Sequence, residues 1–94
     1  MQKLKTYVGF AIKSGAIVYG QDNIVKQKNV PLVLIENGTS DSTINNLKAK
    51  FKNVLIINNF AELNLKGKVC AILNKDLAKK CIEISESKGA NHIE

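Results

Sequence analysis

The sequence predicts an α/β fold, a three-layer α/β/α sandwich on a small four-stranded mixed sheet. Helical and strand-like periodicities alternate along the chain. The apolar runs at 32–35, 54–57 and 69–73 carry no polar residue at alternate positions. Strands of that kind need cover on both faces, so helices must lie on both sides of the sheet. The 94 residues show no internal repeat, low-complexity segment or change of composition, which makes residues 1–94 one domain with room for one core.

The elements follow in order. Leu4, Tyr7, Val8, Ala11 and Ile12 recur at helical spacing, and Gly15 after Ser14 supplies a C-terminal cap, so a helix is predicted over 2–14. Residues 16–19 are a short β-prone run ended by Gly20, after which a helix opens at Gln21 with Asp22 or a neighbour as its cap. Asn29 interrupts that helix and Pro31 forbids its continuation, leaving 32–35 as a strand. A polar loop follows, and Ser40 or Asp41 caps a helix whose inner stripe is Ile44, Leu47 and Phe51. Residues 54–57 repeat the doubly buried strand pattern, and 58–65 allow no more than about two helical turns. The loop at 66–68 leads into the fourth strand, 69–73. Asn74 caps a last helix that keeps Asp76 in its first turn and Leu77, Ala78, Cys81, Ile82 and Ser85 inward. From Gly89 the chain is expected to leave the domain as a flexible tail, 89–94, carrying the sole histidine, His92.

The residue inventory narrows the function. No apolar stretch approaches the roughly twenty residues that cross a bilayer, and the N-terminus lacks the apolar centre and cleavage site of a secretory signal. A cytoplasmic protein is expected. Cys70 and Cys81 form no CxxC pair and read as reduced core residues, which argues against zinc. No GxSxG elbow, HExxH helix, GxxxxGK[ST] loop or GxGxxG turn occurs, and the eight carboxylates are scattered as caps and surface groups. An enzyme is not expected, nor any cofactor or metal. The net charge of +6 rests on fourteen lysines without one arginine. A basic surface favours phosphate polyanions, although eleven asparagines and eleven isoleucines accompany the lysines, a bias that AT-rich coding alone would also produce.

The most informative segment runs from Lys13 to Lys26. It holds a lysine, Gly15 two positions on, a short apolar strand, Gly20, the polar residues Gln21, Asp22 and Asn23 opening a helix, and Lys26 one turn later. This segment resembles the ribosomal proteins "L-seven-Ae" and "L-thirty-e" and their small bacterial relatives, a family that binds kink-turns and related internal loops in RNA. The likeness extends over about residues 4 to 82. It includes the strand at 32–35 with its polar loop and Ser40, and Ala61, Glu62 and Leu63 before the lysine loop. The last strand and helix at Asp76, Leu77 and Ala78 complete it.

The resemblance implies the α/β/α fold and an RNA-binding monomer whose partner is ribosomal or other kink-turn RNA. In that family the glycine turn and the helix after it dock on the kinked backbone. Carried onto this chain, Gly20 and Gln21 approach phosphate, Asp22 and Asn23 face base edges, and Lys13 and Lys26 hold phosphates. The loops bearing Asn37, Lys66 and Lys68 complete the surface, where RNA is read by shape and unstacked bases. The chain also departs from the family. Its Asp22 then Asn23 exchanges a common asparagine then glutamate, and Tyr19 replaces a basic residue and could stack on a base. The second helix is about three residues shorter, and Asn64 stands where glycine is common. The same fold acting as a protein-interaction or regulatory module without RNA binding is the alternative.

Overall fold

The computed structural model describes residues 2–91, with side chains over 4–85. Helix α1, Gln2–Lys13, buries Leu4, Val8 and Ala11 on one stripe. It ends in a Schellman motif: the Ala16 N–H donates to the Ala11 carbonyl at 2.8 Å and the Gly15 N–H to Ile12 at 3.2 Å, with Gly15 at φ 74°. Strand β1, Ile17–Tyr19, follows at once, then the short helix α2, Gln21–Val25. Strand β2, Leu32–Glu36, helix α3, Asp41–Lys50, and strand β3, Val54–Ile57, form the parallel crossover. A 3-10 helix, Phe60–Leu63, precedes strand β4, Val69–Ile72, and helix α4, Lys75–Asn91, closes the chain.

The sheet order is β1-β4-β2-β3, with β4 antiparallel to both its neighbours and β2 parallel to β3. Ile17 lies opposite Ile72 and Tyr19 opposite Cys70, while Leu32 and Ile35 lie opposite Ile72 and Val69. Side chains alternate between the faces of this ladder. Leu32, Leu34, Cys70 and Ile72 pack with Leu4, Val8, Ala78, Cys81 and Phe60, from α1, α4 and the 3-10 helix. Val33, Ile35, Val69 and Ala71 pack with Ile24 of α2 and Leu47 of α3. Two apolar layers on two faces make the α/β/α sandwich that the doubly apolar runs predict.

Three expectations are corrected. Residues 54–57 are not covered on both sides: β3 is an edge strand, and Ile56 is 43% exposed because the α3 stripe of Ile44, Leu47 and Phe51 reaches Val54 but not beyond. Asp22 does not cap α2, since Gly20 occupies the N-cap without a side-chain bond and Asp22 lies in the first turn. Helix α4 continues through Gly89 to Asn91, where a tail is expected, and the rest of that tail with His92 lies outside the described residues. Both cysteines are free and buried, and burial pushes their thiols up to about 12 for Cys70 and about 11 for Cys81. No helix among the described residues is long and apolar enough to cross a membrane.

Candidate functional site

The site is built from the turn at Gly20. This residue holds φ 91° and ψ 137°, a conformation open in practice only to glycine. Its N–H donates to the Val69 carbonyl at 3.1 Å, and its own carbonyl accepts from the Ile24 N–H at 3.0 Å. The turn is thereby fixed to β4 on one side and becomes the first acceptor of α2 on the other. A Cβ at this position would meet nothing closer than Asn23 Nδ2 at 3.7 Å. The restriction is conformational, and space over the backbone is open.

The loop before β4 meets this turn. Lys66 and Lys68 flank Gly67, which takes φ 65°, and the Lys68 carbonyl accepts from the Glu36 N–H at 2.8 Å. Gly20 and Gln21 therefore share one open groove with Lys66, Gly67 and Lys68, walled by Tyr19 and Val69. Both lysines are exposed. Tyr19 is held otherwise than a free stacking platform would be. Its half-buried ring packs on the core between the sheet and α1, and its phenol is raised by burial and by Cys70, partly offset by the Lys66 backbone N–H. It stays a neutral wall of the groove.

Asn37 belongs to the same end of the sheet. Its N–H donates to the Ile57 carbonyl at 2.7 Å, and the Glu36 carbonyl before it accepts from both the N–H and Oγ1 of Thr39, at 3.2 and 2.7 Å. Glu36 Oε2 accepts from the Phe60 N–H at 2.9 Å, so this carboxylate ties the end of β2 to the start of the 3-10 helix. The sequence places the loops 36–38 and 65–68 on this surface but assigns no role to Glu36 or to Gly67. A glycine between two lysines was the available signal for the latter, whereas nothing local marks the former.

Asp22 and Asn23 are exposed in the first turn of α2. The Asn23 amide Nδ2 donates to the Tyr19 carbonyl at 2.9 Å, which ties this side chain back onto the turn. With only five residues α2 has a weak dipole, so the N–H donors of this end contribute less than the resemblance implies. Lys26 follows the last residue of α2, roughly 9 Å along its axis from Gly20. Lys13 is not brought to the site. It precedes the Ile17 end of β1, beside the Ile72 end of β4, whereas Gly20 adjoins Val69 at the other end.

The assembled surface offers two ammonium groups, two glycine turns with open backbone and carboxylate or amide acceptors. It can hold a phosphodiester and accept from base N–H groups. The cysteines supply no nucleophile at neutral pH, since both are buried thiols. Among the described residues no three His, Cys, Asp or Glu side chains are placed to share a metal ion.

No protein-family model matches the chain, and no curated protein matches it. Among solved structures the chain is similar to a protein with unknown function from Bacillus halodurans C. The TM-score is 0.76 at 16% identity, over 89% of this chain and 97% of that one. At that identity the likeness is one of fold: this chain and the Bacillus protein share the α/β architecture over nearly their whole lengths.

Proposed function

We propose that the protein is a non-enzymatic RNA-binding module that receives a kink-turn or similarly folded RNA on the surface around Gly20. The observation that carries this reading is the groove that unites Gly20 and Gln21 with Lys66, Gly67 and Lys68, residues more than forty positions apart in the chain. The likeness of the segment 13–26 and of the later strands to the kink-turn family supports it.

In this reading the phosphates of a bent strand approach the backbone at Gly20 and Gly67, with Lys66 and Lys68 beside them and Lys26 at the flank. The Asp22 carboxylate and Asn23 Oδ1 accept from guanine N–H groups, and Asn37 contacts the strand that leaves the bend. An acidic residue among phosphates needs such donors, because otherwise it repels the ligand. Each base contact of this kind contributes about 1–3 kcal/mol. The protein acts in the cytoplasm as a monomer without a cofactor.

The second reading, a protein-interaction module, is favoured by the charge at this end: Asp22 and Glu36 offset Lys66 and Lys68. A gel-shift titration separates the two. The wild type should bind a kink-turn RNA in preference to a plain A-form duplex, and Lys66→Ala with Lys68→Ala should weaken that binding by about tenfold or more while lowering its salt dependence. Equal, weak binding to both RNAs, unaltered by the double substitution, would sink the RNA reading and leave the protein partner.

A further inference from the structure

Lys66, Gly67 and Lys68 are exposed between the buried Leu65 and Val69. Their side chains gain little from burial, and Gly67 at the centre leaves the backbone there more freedom than any other residue would. The place of this loop is therefore set by what holds the chain on either side of it. Leu65 and Val69 anchor the two ends in the core, and both ends are also bonded, directly or through Phe60, to one residue, Glu36 at the end of β2.

On the β4 side the Lys68 carbonyl accepts from the Glu36 N–H at 2.8 Å. On the other side Glu36 Oε2 accepts from the Phe60 N–H at 2.9 Å, and the Phe60 carbonyl accepts from the Leu65 N–H at 3.0 Å, one residue before Lys66. The first bond uses only backbone and survives a change of side chain at 36. The second needs a side-chain acceptor of this length, and a carboxylate bonded to a backbone N–H is among the stronger kinds. Glu36 does not itself wall the groove that Gly20 shares with Lys66, Gly67 and Lys68. The loop so placed brings the Lys66 backbone N–H to the Tyr19 phenol, next to Gly20.

We propose that Glu36 is a positioning residue of this surface: its carboxylate, through the Phe60 N–H, holds the Lys66-Gly67-Lys68 loop where it meets the Gly20 turn. The consequence for RNA binding rests on the RNA reading of that groove, whereas the hold on the loop is a property of the free protein. Charge and positioning pull in opposite directions here. A carboxylate at this end of the sheet opposes phosphate, so removing it strengthens binding of a polyanion if charge is all it contributes. If it holds the loop, removing it weakens binding, because only the fraction of molecules with the loop in place is competent.

Three substitutions separate the two effects. Glu36→Gln keeps an acceptor of the same length without the charge, Glu36→Asp keeps the charge one methylene too short, and Glu36→Ala keeps neither. In the free proteins, backbone 15N relaxation should give the Gly67 amide an order parameter of about 0.85 for wild type and Glu36→Gln. It should fall below about 0.6 for Glu36→Asp and Glu36→Ala, with the Gly15 amide at the other end of the sheet unaltered throughout. Kink-turn RNA should bind Glu36→Asp and Glu36→Ala about threefold or more weakly than wild type, and Glu36→Gln as tightly or more tightly. Glu36→Asp carries the test if Glu36→Ala does not fold. The proposal is overturned if Gly67 keeps its order in Glu36→Asp and Glu36→Ala, or if these two bind RNA as tightly as wild type. It is overturned equally if Glu36→Gln loses binding with them, since the carboxylate is then a direct contact. Should wild-type protein bind no RNA, the RNA reading falls alone, and the Gly67 amide still decides whether Glu36 holds the loop.

Discussion

Asn64 ends the 3-10 helix at φ 60° and ψ 28°, and among the described residues it alone combines a side chain with a positive φ. Its N–H donates to Ala61 at 3.2 Å while the Leu65 N–H returns to Phe60 at 3.0 Å, so the left-handed turn brings Leu65 back onto the core. Asparagine tolerates this conformation where a β-branched residue or alanine is strained. Asn64→Ala is expected to lower stability by about 1 kcal/mol, and Asn64→Gly to change it by only a few tenths, as urea denaturation would measure. The resemblance places a glycine at this position, and the backbone explains why asparagine can stand in for it. Other single residues were legible in the same way: Gly15, Gly20 and Asn74 hold the turns and cap that their types announce. Glu36 was not, because its partner Phe60 lies 24 positions away and no local rule links them. The inward bond of Asn23 was equally hidden, since it depends on the direction in which α2 leaves the Gly20 turn.

Helix α4 begins with a well-formed cap: Asn74 Oδ1 accepts from the Leu77 N–H at 3.0 Å and the Asn74 carbonyl from Ala78 at 2.9 Å. In α3 the Ser40 hydroxyl accepts from the Thr43 N–H at 3.4 Å and donates to Thr43 Oγ1 at 3.0 Å, a longer and shared arrangement. Asn74→Ala should therefore cost more than Ser40→Ala, about 1 kcal/mol against a few tenths. Thermal melts should place the Asn74 variant about 4–8 °C below the wild type. All four strands and four helices were legible as elements, because their apolar periods and punctuating residues are local properties. The rank of a strand in the sheet is not local. A run such as 54–57 has the same composition whether it is central or at an edge, so the exposure of Ile56 could not be read from it. For the candidate site, the loops were legible and their meeting was legible only through the family resemblance. Lys13 shows the limit, since the family resemblance placed it with Gly20 while the extended strand between them holds the two apart.

For the molecule as a whole, the buried thiols couple folding to alkaline pH. Cys70 and Cys81 have folded values of about 12 and about 11, against 9.0 for the free group. The native state therefore holds the thiol protons more tightly, and their contribution is fully present below about pH 9. It is lost as pH rises through the folded values. Urea midpoints measured upward from pH 8 should be flat with respect to the thiols until about pH 9 and then fall, by at most about 1.4 kcal/mol per pH unit for Cys70. Cys70→Ala, although less stable at every pH because it leaves a cavity, should show a shallower fall. The strand order carries a different consequence, one of timing. The ribosome delivers β4 last of the four strands, yet β4 occupies an interior place in the sheet and is the neighbour of β1. Until residues 69–72 have emerged, β1 has no strand to pair with and one flank of β2 stays open. At about 5–20 residues per second, the nascent chain spends several seconds as separated halves before a single late segment joins them.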